Sequence, residues 1–219
     1  MRKLGRWAWI GLTWVATAAA GDFTWTTNGD ALALAKYEGA ADRVAIPAEV
    51  EGRPVAAIGS GAFADRAGVK SVAIPDGVVR IEENAFAYCS DLVRVEFGAG
   101  VAEIGPWAFR GCRQLAEIAV APDNLNYRVA NGALVDRRTA TLVLCPAGKT
   151  GKFAVPEDVA AIGSEAFAGC AQLAEVVLPA GLVRIGPWAF DACGLKSIRL
   201  PDSVTNLGEG AFSGCAALA

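Results

Sequence analysis

Six Ala-Phe dipeptides punctuate this chain, with their aromatic residues at Phe63, Phe86, Phe109, Phe167, Phe190 and Phe212. The steps between them are 23, 23, 58, 23 and 22 residues. The register extends to both sides. Five residues before each ring stands Ile58, Ile81, Ile104, Ile162, Ile185 or Leu207. Three residues earlier again stands Val55, Val78, Val101, Val159, Leu182 or Val204. Three residues after each ring comes Arg66, Cys89, Cys112, Cys170, Cys193 or Cys215, and an apolar residue then follows at Val69, Leu92, Leu115, Leu173 and Leu195. A unit this short cannot bury its own apolar face. Stacked copies can, because each covers the next, so the repeat restricts the chain to an array.

Each unit has a readable anatomy. Segments such as "LVRVEF" (92–97), "LAEVVLP" (173–179) and "LKSIRLP" (195–201) carry apolar residues two apart, the pattern of a short strand with one buried face. Pro75, Pro179 and Pro201 end such strands by removing a donor. The motif "IGxxAFxxC" then predicts a turn at Gly and one or two helical turns, with Phe and Cys on one helical face. The 58-residue step is one ordinary step plus 35, so a single coil is enlarged. Its extra length, 121–152, reads as a hairpin excursion in which "GALVD" and "TLVLC" flank the turn "RRTA" and Asn131-Gly132 is a further turn signal.

The totals agree with a packed array: 53% of the residues are apolar and 20% charged. The sequence contains no histidine, which removes His-based acid–base catalysis, Ser-His-Asp and Cys-His nucleophile systems and His-ligated zinc. Residues 1–20 read as a signal peptide. Arg2, Lys3 and Arg6 precede the apolar run 8–20, and Ala18 and Ala20 suit cleavage before Gly21. Without that segment 17 basic residues face 23 acidic ones, a net charge of −6. Such a chain has no general attraction for nucleic acid or anionic membranes, and no insertion into a membrane is expected after cleavage. Residues 21–57 read as an atypical capping unit and 58–219 as the repeats, the last of them incomplete.

These residues resemble the BspA-like leucine-rich repeats of bacterial secreted and surface proteins. The family pattern is similar to I-G-x-x-A-F-x-x-C-x-x-L-x-x-V-x-L-P, matched nearly position for position by 162–184 and, with Gly98 in place of Pro, by 81–103. The lead-in "VAIP" (44–47) and "EGRPVAAIG" (51–59), and the excursion elements "PDNLNY" (122–127) and "CPAGKTG" (145–151), resemble the family as well. The expected fold is an α/β solenoid. It is a right-handed leucine-rich-repeat coil with a parallel β-ladder on the concave face, short helical turns opposite and one β-hairpin excursion. The resemblance implies adhesion or binding of host, matrix or cell-surface proteins, a secreted or cell-surface location, and no catalytic residue or cofactor.

Five of the six cysteines, Cys89, Cys112, Cys170, Cys193 and Cys215, occupy one repeat position. Rungs ~4.8 Å apart keep parallel Cβ atoms beyond the usual disulfide separation, which favours buried free thiols. The alternative is a disulfide between neighbours, Cys89–Cys112, Cys170–Cys193 or Cys193–Cys215. The candidate partner-binding face consists of the outward residues of the strands: Ala73, Arg94, Glu96, Glu117, Glu175, Val177, Lys196 and Arg199. Trp107 and Trp188, both in "IGPWAF", are candidate aromatic anchors. They stand where other units carry Gly61, Asn84, Glu165 or Gly210, a variety that points to an exposed site. Asp123, Asn124, Asn126 and Asp136 lack the spacing of a calcium loop and read as turn residues. Gly148-Lys149-Thr150 lacks the first glycine of a phosphate loop. No metal site is expected. The reading is an exported module that recognises a protein through a rigid repeat surface. The alternatives are a structural fragment of a longer surface protein, a carbohydrate-binding protein, and end-to-end association through the last coil.

Overall fold

The computed structural model describes residues 20–219, so the expected signal peptide lies outside the described residues save for its last residue. The chain winds as a β-solenoid in which most units supply two short strands to two separate parallel ladders. The first ladder contains Arg43–Ala45, Ser71–Ala73, Arg94–Phe97 and Glu117–Val120, paired so that Ser71, Arg94 and Glu117 stand side by side. Beyond the enlarged coil it resumes with Gly151–Ala154 and Leu173–Val177. The second ladder runs through Arg53–Ile58, Arg80–Ile81 and Glu103–Ile104. It resumes with Thr141–Leu144, Ala161–Ile162, Arg184–Ile185 and Asn206–Leu207. Sequence reading anticipates only the first ladder. The second uses the residues just before each "IG", where a two-residue strand is too short to leave an alternating pattern.

The expected helical turns are absent from the Ala-Phe segments. The described residues contain a single helical element, the three-residue 3₁₀ turn Ala20–Asp22. The reason lies in where the amides point. In the first unit Ala62, Ala64 and Arg66 donate back to Gly59, Gly61 and Phe63, closing tight turns. The intervening Gly61, Phe63 and Asp65 donate instead to Glu83, Ala85 and Ala87 of the next coil. A helix would claim all of these donors for itself. Gly61 and Asp65 also have φ of +64° and +59°, a conformation no right-handed helix contains. The solenoid therefore exchanges helix hydrogen bonds for bonds between coils.

Those bonds hold the rings in register. Tyr37, Phe63, Phe86 and Phe109 stack with centroids 5.1, 4.9 and 5.1 Å apart. Phe167, Phe190 and Phe212 stack at 4.9 and 5.2 Å. The spacing is close to the ~4.8 Å between paired strands, so successive coils repeat without slippage. Tyr37 belongs to the first coil, whose strands Phe23–Asn28 and Ala31–Tyr37 pair antiparallel and lead into Arg53–Ile58. All six cysteines are free, and all but the half-buried Cys215 are buried. The thiols of Cys89, Cys112 and Cys215 donate to the carbonyls of Phe63, Phe86 and Phe190 in the coil before, at 3.0, 3.1 and 3.0 Å.

The enlarged coil departs from the expected hairpin excursion. Tyr127–Ala130, Ala133–Asp136 and Thr141–Leu144 form a three-stranded antiparallel meander whose last strand pairs parallel with Ala161–Ile162. It thus stays within the second ladder rather than projecting from it. Buried Asn124 ties it to the preceding coil, donating through Nδ2 to Gly98 O and Val101 O at 2.9 and 3.0 Å. Its Oδ1 accepts from the amides of Asn126 and Tyr127. Asp136 accepts from the amides of Arg138 and Thr139 and from the Arg138 guanidinium. Burial pushes its carboxyl up, but these donors outweigh burial and hold it below the usual range.

Candidate functional site

The outward row of the first ladder is a strip of charges on a flat backbone. In register across it lie Ser71, Arg94 and Glu117, then Ala73, Glu96 and Ala119. Arg94 pairs with Glu96 at 2.8 Å and also with Glu117. Beyond the enlarged coil, Lys152 pairs with Glu175 at 2.8 Å. These pairs sit at the surface, where each contributes about 0–1 kcal/mol. Their effect is to neutralise the strip from within.

Ala73 departs from expectation. It faces outward in register but is buried, because a methyl group between Ala45 and the longer Glu96 does not rise above the strands. Arg94 and Glu96 are half-buried in their pair, while Glu117, Glu175, Val177, Lys196 and Arg199 are exposed. The expected strand 195–201 is reduced to one bridge, Glu175 to Ser197, so Lys196 and Arg199 flank the ladder rather than belong to it. The cause is a missing residue. Cys193 and Leu195 are two apart where Cys170 and Leu173 are three apart. Gly194 takes up the shortening by donating to Cys170 O, in a space where a Cβ would stand 2.1 Å from Ala171 O.

Trp107 and Trp188 are 37% and 39% exposed, with φ of +55° and +56°. Gly61, Asn84, Glu165 and Gly210 share that left-handed conformation. The residue variety at this position therefore marks a backbone that cannot continue a right-handed turn, in addition to exposure. Trp188 lies over the next coil, where a Cβ on Gly210 would meet its ring at 2.7 Å. Trp107 faces the carboxylate of Glu165 across the enlarged coil, which reaches its backbone amide and its indole. Burial raises the Glu165 carboxyl above its ordinary range, against the charge of Arg110 and these bonds.

One further feature emerges where the two ring stacks meet. Between the two ring stacks lies a cavity of about 320 Å3, with Phe109, Leu115, Val143, Cys145, Glu165 and the exposed Trp107 among its walls. It separates two apolar clusters, one from Phe23 to Leu134 and one from Ala133 to Ala211. Its signal in the sequence is Cys145 itself, 22 residues before Phe167 and so at the repeat position of the rings. Among the described residues no cluster of three or more His, Cys, Asp or Glu is placed to hold a metal ion. No described helix is long and apolar enough to cross a membrane.

The family model for the BspA type leucine-rich repeat region matches six copies, at residues 53–131 and 147–219, more than half of the chain. No curated protein matches. Among solved structures, the leucine-rich-repeat protein of T. pallidum is similar over 92% of this chain and 90% of its own, with 28% identity and a TM-score of 0.65. A leucine-rich cell surface protein of Faecalibacterium prausnitzii A2-165 is similar over 92% of this chain, with 27% identity and a TM-score of 0.59. The present chain spans 53% of that protein's length. A leucine-rich-repeat protein of Eubacterium ventriosum, 19% identical with a TM-score of 0.57, shares the fold over 91% of this chain and 69% of its own.

Proposed function

The chain belongs to the BspA-type leucine-rich-repeat family, and on that premise we propose that it is an exported module that binds a protein partner on the outer face of its first ladder. Binding rests on complementarity along a rigid surface, without catalysis or cofactor. The observation that carries the reading is Val177. It is a 39%-exposed apolar side chain beside the Lys152–Glu175 pair and near exposed Lys196 and Arg199. An apolar centre within a charged rim is how interface cores are arranged. The Arg94–Glu96–Glu117 cluster extends the strip and sets register with the partner. Surface location is supported by the signal-like segment 1–20 and by the cell surface description of the Faecalibacterium relative.

The test is a pull-down from matrix and cell-surface proteins, followed by titration of the captured partner. Val177→Asp and Arg199→Glu should each weaken binding at least about tenfold while leaving the melting temperature within a degree or two. Unchanged affinity in both variants refutes the face. A further contact between copies, end to end, is supported by the last coil, where Leu207 is exposed and Phe212 is only half-buried. Sedimentation over a range of concentrations tests it, and a concentration-independent monomer rules it out.

A further inference from the structure

We propose that the cavity beside Cys145 is a binding site for one six-membered aromatic ring, seated face to face on Phe109. The backbone supplies the first indication. In the other units the amide of the stacked residue donates to an alanine carbonyl of the next coil: Tyr37 to Ala62, Phe63 to Ala85, Phe86 to Ala108, Phe167 to Ala189 and Phe190 to Ala211. In the enlarged coil the residue making this bond is Cys145, to Ala166 at 2.7 Å. The thiol pattern agrees. Cys89 and Cys112 reach Phe63 O and Phe86 O in the coil before, and Cys170 in the same way approaches Cys145 O at 3.8 Å. Cys145 therefore stands in the slot of a ring, and a thiol does not fill the volume of a phenyl group.

The missing ring leaves one open face. Phe109 is covered on one side by Phe86, 5.1 Å away and inclined by only 8°. It is 8% exposed, whereas Phe63, Phe86, Phe167 and Phe190 are each 0% exposed. Each ring beside the gap also meets one ring edge-on, Phe97 against Phe109 at 5.8 Å and Phe153 against Phe167 at 5.6 Å, but Phe167 is fully buried and does not line the cavity. The vacancy thus belongs to Phe109, and Phe109 lines the cavity. Leu115, Val143 and Ala147 supply apolar walls. About 320 Å3 is available, whereas an apolar cavity of roughly 150 Å3 is enough to admit benzene. Offset stacking at ~4.5–7 Å between centroids is a preferred geometry for such a pair. One wall adds a requirement. Glu165 lines the cavity and is an acceptor, so a ring carrying a hydroxyl donor suits the site better than a bare hydrocarbon.

The experiment uses the full chain with two probes: p-cresol, a free phenol, and N-acetyl-tyrosinamide, the same ring carried on a peptide backbone. Saturable quenching of tryptophan fluorescence and a matching rise in melting temperature are expected with at least one probe. The tighter probe tells whether the ring arrives as a small compound or as a partner's side chain. Cys145→Phe should complete the stack, raise the melting temperature of the free chain and abolish both responses. Cys145→Leu, a smaller filling that folds where Phe does not, should weaken the probe at least tenfold. The proposal is overturned if neither probe saturates, or if the filled variants bind as the parent does.

Discussion

Replacing Phe86 by Ala measures what one rung of the stack contributes. The ring is fully buried, with parallel neighbours on both sides at 4.9 and 5.1 Å. Truncation of a buried Phe costs about 3–5 kcal/mol through lost transfer energy and the residual cavity. Two ring contacts, worth about 0.5–1.5 kcal/mol each beyond burial, place Phe86→Ala toward the upper end. Phe212 provides the control. It is half-buried and stacks on Phe190 alone, at 5.2 Å, so its truncation should cost about half as much. The assay is urea unfolding followed by far-ultraviolet circular dichroism. With a slope of about 2 kcal/mol/M, a loss of about 4 kcal/mol moves the midpoint by about 2 M. An order of losses follows as well, because stability in a solenoid is a sum of unit and nearest-neighbour contributions. Equal losses at Phe86 and Phe212, or a loss below about 2 kcal/mol at Phe86, would refute it.

Two further outcomes are expected. Cys89→Ser should be nearly neutral, because its hydroxyl inherits a carbonyl acceptor now 3.0 Å from sulfur, whereas Cys170→Ser should cost about 1–3 kcal/mol, because the carbonyls near Cys170 lie 3.8 and 3.9 Å away, beyond a hydroxyl's reach; paired urea titrations separate the two. Asp136 titrates below its ordinary range in the fold, so its carboxylate contributes stability that is present above the unfolded-state value of 3.8 and is lost as pH falls through the lower folded value. The stability difference between the parent chain and Asp136→Asn should therefore be constant near neutrality and shrink below about pH 4, as read from melting temperatures across pH.

The thiol ladder shows how far local pattern reaches. Burial pushes Cys193 up to about 12, and the neighbouring Cys89 thiol together with burial raises Cys112. At neutral pH these are protonated donors to carbonyls, not nucleophiles. Their common repeat position carries that information in the sequence. The carbonyl each one meets does not appear there, because it belongs to another coil.

Periodic apolar residues can be buried only by stacking, so the order of amino acids alone dictates the array, the inward set Ile81, Phe86 and Cys89 with its counterparts, and the enlarged coil. Packing between coils settles the rest. It turns the expected helical turns into left-handed corners, because Gly61, Phe63 and Asp65 donate to the next coil rather than to their own. It buries Ala73 and exposes Val177, though both occupy the same outward row, because neighbouring strands set how far a side chain must rise to reach solvent. It also opens the cavity at Cys145. A single thiol in a ring's slot leaves space only once coils on both sides are held at a fixed spacing, and that spacing is a property of the stack.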